Sequence, residues 1–389
     1  MLKYWVWLAE LPGLANQTRL ALLRHFSTPE DIFYADAGEI LLVEGMTRQQ
    51  ATVLENHDLT TADRILADCQ RLGISLLTLQ DAAYPGRLKN IYDPPCLLYI
   101  KGRLPVFDEE LTVAVVGTRG CTPYGIAVAE KLSYELTAGG AIVVSGLAKG
   151  IDAAATRGAL RAGGITVGVL GNGIDVHYPY ESAGLYADVA AAGVLISEYP
   201  PGTAAVGSHF PARNRILSGL AQATVVVEAG EKSGALITAN WAMEQGRDVF
   251  AVPGPVTVKE SAGCNRLIQS GAGLVTEAAD ILKEYEPRFP TKLTEGQTMP
   301  EIPQTDAPPR TEAKPVLPAI DAEKQGLTDD QIALLRVMDA EEPIQVDDLI
   351  EATGIPTRRV LSALTMLEID ELVKQHSGKR YTRAVTLRK

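Results

Sequence analysis

Five short stretches carry the side chains that could do chemistry. VVGTRG sets Gly117, Thr118 and Arg119 after an apolar run, and VVSGLAKGID sets Ser145, Gly146, Lys149 and Gly150 after another. GVLGNGIDVHYP holds Gly171-x-Gly173 and His177, HFPARNRILSGL holds Phe210, Arg213, Asn214 and Arg215, and EAGEKSGALIT holds Glu228 and Lys232. Hydroxyls, glycines, guanidinium forks and lysines at the ends of apolar runs are the ingredients of an anion site. Arginine matches a phosphate with a planar set of donors, and a helix start adds backbone amides and a dipole end.

The pattern argues against two common ligands of such loops. G-x-x-x-x-G-K-[ST] is absent, so no Walker loop is expected. The dinucleotide fingerprint lacks its third glycine, because Val176 stands there. Arg119 is either a phosphate contact or a surface residue after a tight turn, and Lys149 is either a ligand or a solvated helix start. Asp152 reads as a first-turn carboxylate that supports its helix. Arg213 and Arg215 cannot share one helix face, so one can meet the ligand while the other anchors the loop. Phe210 can stack on a base or pack in the core. His177 reads as a loop or structural residue. Glu228 could serve as a catalytic carboxylate, but no partner acid or nucleophile accompanies it. No catalytic set, metal site or cofactor is expected.

These stretches need elements that bring them together. TVAVVGT, AIVVSG, ITVGVLG, GVLISE, TVVVEAG and DVFAVPG are short β-rich runs separated by helical segments. Runs apolar on both faces, alternating with helices, predict an α/β fold with an open, doubly wound, mainly parallel sheet over residues 106–285. Right-handed crossovers then gather the glycine loops at one sheet edge, where ligands bind. Residues 1–105 read as a helical domain. LPGL and VEGM place glycines at turns in the manner of helix-hairpin-helix modules, although a plain helical packing or interaction domain is the favoured account of them. Residues 286–325 are rich in proline and polar residues and read as a linker. Residues 326–389 read as three helices and a hairpin turning at Ser377-Gly378, which is a winged helix. Its Arg358, Arg359, Lys379, Arg380 and Arg383 occupy positions that meet duplex DNA, and the same module also serves protein contact.

The chain has 389 residues and a net charge of -12, which argues against a uniformly basic binder but leaves room for a local basic track. Cys69, Cys96, Cys121 and Cys264 form no C-x-x-C pair and read as reduced thiols. No segment approaches the ~18 apolar residues of a membrane span, so a cytoplasmic location without membrane contact is expected.

Seven stretches in order, VVGTRGCTPYG, SGLAKGIDAAA, GVLGNGIDVHYP, SEYPPG, FPARNRILSGL, SGALITANWAMEQGRDVFAVPG and GCNRLIQSGA, resemble the DNA-processing protein A family, also called DprA or Smf. The resemblance covers about Val113 to Ala272. It implies an extended Rossmann-like core, a frequent C-terminal winged helix, and sequence-tolerant binding of single-stranded DNA. It also implies a homodimer that loads RecA onto strands held by single-strand-binding protein, in natural transformation and recombination. By motif, Thr118, Arg119, Lys149, Phe210, Arg213 and Arg215 would contact the strand, and Gly117, Gly146 and Gly150 would let its backbone approach. Ser145, Asn214 and Lys232 complete the candidate contacts. Threonine replaces the family's usual serine at Thr118, and cysteine its usual threonine at Cys264. The self-contact is expected near Ala235 to Gln245, whose small-residue face lies beside Ile237 and Trp241. The rival reading is a nucleoside-monophosphate glycosidase on a related fold, although the P-G-G-x-G-T signature of that group is absent.

Overall fold

A computed structural model describes residues 1–294, 299, 319–320, 326–340, 343–370, 372–376 and 380–387. Contacts divide the chain into two units, Met1–Met299 and Pro300–Lys389.

The first unit opens with six helices: α1 (Leu2–Glu10), α2 (Asn16–His25), α3 (Pro29–Tyr34), α4 (Ala37–Ile40), α5 (Arg48–Leu54) and α6 (Thr60–Leu72). Local signals set their ends. Thr28 and Thr47 form capping boxes with Asp31 and Gln50, and α6 stops at Gly73, whose φ is 65°. Strand β1 (Ser75–Thr78), helix α7 (Gly86–Lys89) and strand β2 (Leu97–Gly102) follow.

The rest of the first unit alternates strand and helix. It runs β3 (Thr112–Val116), α8 (Pro123–Ala138), β4 (Ile142–Ser145), α9 (Ile151–Arg161), β5 (Thr166–Leu170), α10 (Ala183–Ala192) and β6 (Val194–Ser197). It continues α11 (His209–Leu220), β7 (Ala223–Val226), α12 (Gly234–Glu244), β8 (Asp248–Ala251), α13 (Ala262–Gln269), β9 (Gly273–Leu274) and α14 (Ala279–Tyr285). The strands form one sheet in the order β1-β2-β6-β5-β4-β3-β7-β8-β9. All neighbours pair in parallel except β2, which is antiparallel to both β1 and β6.

Both faces are covered, as the unbroken apolar runs require. On β3, Val113 and Val115 pack with α8, α9 and α14, while Ala114 and Val116 pack with α11 and α12. From β3 the chain steps outward through β4, β5 and β6, then jumps back to β7 on the other side of β3. That reversal opens a crevice at the carboxyl ends of β3 and β7.

Two expected boundaries fall elsewhere. β1 and β2 lie before residue 105 yet belong to the large sheet, and α1 to α6 share a core with Leu170, Ile174 and α10. A 4-residue strand such as β1 carries too little pattern to stand out beside long amphipathic helices. The expected linker also starts too early. Phe289 is buried with Ile281, Leu282 and Tyr285, Lys292 pairs with Glu109 and Glu110, and Thr294 N–H donates to Gly139 O. A proline-rich composition hid these apolar anchors. The rest of the expected linker, apart from Met299 and 319–320, lies outside the described residues.

The second unit is a winged helix: β10 (Ala319–Ile320), α15 (Asp329–Val337), β11 (Ile344–Gln345), α16 (Val346–Thr353), α17 (Thr357–Ile369), β12 (Val373–His376), β13 (Arg380–Arg383) and β14 (Thr386–Leu387). β12 and β13 form the expected hairpin, and β11 joins its β13 side. Leu334, Leu349, Val360, Leu364 and Leu367 build its core. The hairpin turn at Ser377-Gly378 and the neighbouring Lys379 lie outside the described residues.

Candidate nucleic-acid interface

A cleft of about 520 Å³ opens at the crevice, walled by Gly117, Thr118 and Arg119 after β3 and by the first turns of α11 and α12. A smaller cavity of about 160 Å³ shares Arg119, Ala148, Tyr178 and Phe210 with it, and adds Gly146 and Lys149. The sheet edge therefore brings the loops after β3, β4 and β5 together with the start of α11.

Backbone bonds and buried carboxylates hold these loops. Thr118 N–H donates to Glu228 O at 2.7 Å. The Glu228 carboxylate accepts from the Thr122 N–H at 2.8 Å and from its hydroxyl at 2.7 Å, while Thr122 caps α8. Glu228 is 2% exposed and joins the β7 loop to the α8 start. It does not line the cleft.

The loop after β4 departs from the sequence reading. The amides of an open helix start were expected to face an external anion. Asp152 fills that seat from within: its carboxylate accepts from Gly146 N–H at 3.2 Å and is bonded by the Ala148 and Gly117 amides as well. Gly150 has φ +88°, and a Cβ there would strike the carbonyls of Thr118 and Arg119. A Cβ on Gly117 would strike Ile151, and one on Gly146 would strike Arg213 and Asp152. These glycines let the protein's own loops interlock. Ser145 is likewise spent, because its hydroxyl donates to Val115 O at 2.8 Å in a fully buried position.

Burial pushes the Asp152 carboxyl up to about 6, opposed by the nearby Arg213 charge and the three amides. Burial also holds Arg213 below the usual arginine value, opposed by Asp152. Arg213 is 4% exposed, donates to Val169 O, and keeps an Nε without a partner among the described residues. It lines the floor of the cleft beside Asn214.

Arg215 does not join the cleft. It makes a two-pronged pair with Glu198, at 2.7 and 2.8 Å, and a third bond to Asp93 at 3.0 Å. These partners, rather than burial, raise its pKa well above the ordinary value for arginine. It ties α11 to the loop before β2. The α2 start packs on the same loop, because Asn16 and Gln17 both donate to Asp93. The LPGL hairpin is therefore closed by packing.

The exposed cations are Arg119 and Lys149, one in each loop. The Arg119 guanidinium lies 5.1 Å from the Phe210 ring centre, and the Tyr178 ring lies 5.5 Å from Phe210 at 32°. Phe210 is half-buried between neighbours, whereas Tyr178 is 43% exposed. The sequence places Tyr178, with Tyr124, Tyr199 and Phe210, in or beside these loops as an aromatic surface for a strand. Lys232 is exposed ahead of α12 but does not line the cleft, which Ser233 and Gly234 do. Ala235, Ile237 and Thr238 line it too, so part of the expected self-contact helix faces the cleft. Cys264 still supplies a hydrogen bond, from Sγ to Val226 O at 3.5 Å.

In the winged helix, Arg358 is exposed at the start of α17. Arg359 is engaged by both carboxylate oxygens of Asp330 on α15, at 2.6 and 2.7 Å. Arg380 is exposed on β13 and makes its own contacts, and Arg383 is half-buried with its N–H donating to Asp339 O.

Comparison with known proteins supplies what geometry leaves open. Residues 75–286 match the family described as DNA recombination-mediator protein A, and residues 303–379 match the DprA winged helix domain. The chain is 35% identical to Protein Smf of Synechocystis sp., over 98% of each chain. It is 39% identical to DNA processing protein DprA of Streptococcus pneumoniae, over 73% of this chain and 98% of that one. The solved structure of the Streptococcus pneumoniae protein superposes with a TM-score of 0.66 at 37% identity, covering 73% of this chain and 98% of that chain. A Helicobacter pylori DNA processing protein A, solved to show its single-stranded DNA binding mode, superposes with a TM-score of 0.50 at 29% identity, covering 55% and 96%.

Proposed function

Since the chain belongs to the DNA recombination-mediator protein A family, we propose that it is a non-enzymatic binder of single-stranded DNA. It delivers incoming strands to a RecA-type recombinase, in competition with single-strand-binding protein, and acts as a homodimer in the cytoplasm. The observation that carries this reading is the exposed pair Arg119 and Lys149 on adjacent loops, flanking the Phe210–Tyr178 aromatic contact in an open cleft. Cations along a groove with aromatic surfaces between them bind single strands with little sequence preference.

The glycosidase alternative finds no support in the site. Glu228 is committed to Thr122, and Asp152 is caged by loop amides beside Arg213. Glu228 does not line the cleft, and Asp152, which does, is held by loop amides beside Arg213. Among the described residues no group of histidines, cysteines and acids could hold a metal. No helix among them is long and apolar enough to cross a membrane.

The test is a titration of labelled oligonucleotide, single- and double-stranded, at two salt concentrations, followed by RecA assembly on strands coated with single-strand-binding protein. Tight single-strand binding that weakens with salt, and faster RecA assembly, are expected. Arg119→Ala with Lys149→Ala should weaken binding on the order of tenfold or more, given the strength of charge-assisted phosphate contacts. Normal binding by that double variant would remove the site, and equal affinity for duplex would remove the function.

A further inference from the structure

We propose that a groove in the helical part of the first unit docks an acidic peptide segment of a partner protein, which inserts apolar side chains between two cations. The proposal does not depend on the single-strand reading. The groove holds about 430 Å³ between α1, α2 and the segments that follow β1 and α7. It shares no lining residue with either cavity of the cleft. Its volume falls within the ~300–1,000 Å³ of pockets that enclose a ligand.

The groove lies at a seam between two cores. Trp5 and Leu23 pack with the core of α1 to α6, Ile91 packs with the core beneath α11, and Leu79 touches both. Leu20 and Leu23, one turn apart on α2, line the groove with Leu79 and Ile91. Such a seam keeps aliphatic surface within reach of an occupant, and covering it is favourable. The charge is one-sided. Arg24 in the last turn of α2 and Lys89 at the end of α7 are both exposed, and neither pairs with an acid among the described residues. A helix C-terminus accounts for one cation at each place. It does not account for the absence of any acid from the lining, in a chain with 48 Asp and Glu against 36 Lys and Arg. That local excess of positive charge attracts an acidic partner.

The lining suits a peptide better than a nucleic acid. Bases stack on open aromatic faces. Here the floor is aliphatic, Trp5 is 3% exposed, and Tyr92 alone among the lining residues keeps an open ring. A tryptophan N–H can only donate, and a buried one normally has a partner. Trp7 obeys this, donating to Asn56 O at 2.8 Å, but Trp5 makes no such bond among the described residues. A peptide answers all three features: its apolar side chains cover the floor, a backbone carbonyl accepts from Trp5, and its carboxylates meet Arg24 and Lys89. The walls are already held. Side chains at the α2 start fix the loop before β2, with Gln17 donating to Tyr92 O at 2.7 Å and Asn16 to Pro94 O at 2.8 Å. Across the groove, the Gln80 side chain donates to Ser27 O at 2.6 Å. A preformed groove spares an occupant the cost of ordering it.

The probe is a short labelled peptide that repeats Asp-Asp-Leu, titrated into the full chain by fluorescence anisotropy. One control peptide carries lysine in place of aspartate, and another carries serine in place of leucine. The protein variant is Arg24→Glu with Lys89→Glu, whose exposed positions leave the floor and the melting temperature unchanged. The wild type should bind the Asp-Asp-Leu peptide roughly tenfold more tightly than either control, and the variant should lose that binding by a similar factor. The variant should bind a single-stranded oligonucleotide as the wild type does. Equal binding of the three peptides by the wild type, or unchanged binding by the variant, overturns the proposal. A variant that loses oligonucleotide affinity also overturns it, because the groove then belongs to the strand. A dimer by light scattering that only the wild type forms overturns it as well, because a second copy then fills the groove. If the wild type binds the peptide but no oligonucleotide, the strand-binding function falls while the groove stands.

Discussion

Arg213 and Arg215 stand two positions apart on α11 and do different work. Arg215 is neutralised by Glu198 and Asp93 and is 5% exposed. Removing one partner of such a buried cluster strands the others, at a cost of ~3–5 kcal/mol. Arg215→Ala should therefore lower the melting temperature strongly, while the fraction that stays folded binds strands normally; a soluble variant of native stability with lost binding would reverse that assignment. Asp152 makes a prediction with a definite sign. Its pKa rises from the unfolded carboxylate range, ~4, to about 6 in the fold. Between those values the folded state holds more protons than the unfolded one, so stability falls as pH rises through that window. The total is roughly 3 kcal/mol, the free energy of about two pKa units. Measured by denaturant unfolding from pH 4 to 7, the wild type should lose stability relative to Asp152→Asn as pH increases. A parallel pair of curves would mean that Asp152 does not titrate there.

At the scale of elements, the interface depends on how the loops after β3 and β4 interlock. Gly150 carries this junction, since its φ of +88° and its contact with the Thr118 and Arg119 carbonyls both exclude a side chain. Gly150→Ala should cost more than ~1 kcal/mol of stability and also reduce strand affinity, because Arg119 and Lys149 ride on the two loops it joins. Retained affinity with reduced stability would separate the junction from the site. The parallel strands from β3 to β8 were legible because strands covered on both faces leave apolar runs, most of which end in glycine. The cations of the cleft were legible for the same reason: a loop at a strand's carboxyl end has one destination. What pattern could not reveal was pairing across the sequence. Glu198 and Asp93 lie 17 and 122 residues from Arg215, so nothing near RNR marked that arginine as spent. SGLAKGID did mark Asp152 as a carboxylate that supports its helix start, but not that it would occupy the amides expected to face an anion. On α12 the small residues Ala235 and Ala239 share a core with Leu217 and Leu220 of α11, while Ile237 and Met243 of the same helix stay exposed.

Taken as a whole, the molecule carries net negative charge, and the cations we propose for strand binding, Arg119 and Lys149, lie on one sheet edge of the first unit. Sheet-edge geometry, not overall charge, decides where a polyanion can approach. The homodimer we propose then needs a surface away from that edge. Met243, 51% exposed at the far end of α12, borders a cavity of about 380 Å³ with Phe250 and Gly273 at the outer β8–β9 side of the sheet. Met243→Glu should give a folded monomer by light scattering, and an undisturbed dimer would move the contact elsewhere. The division at Met299 bears on what the winged helix contributes. All the residues of both cavities lie in the first unit, whose core closes with Phe289 and Leu293. In the second unit, Asp330 occupies Arg359, and α16 begins with Asp347 and Asp348, which would repel a phosphate backbone. A chain ending at Met299 should therefore fold and keep most of the single-strand affinity with the same salt slope, ~0.7 in log units per phosphate contacted. A slope smaller by two or more such units in the shortened chain would show that the winged helix holds phosphates too, and would extend the track beyond the sheet edge.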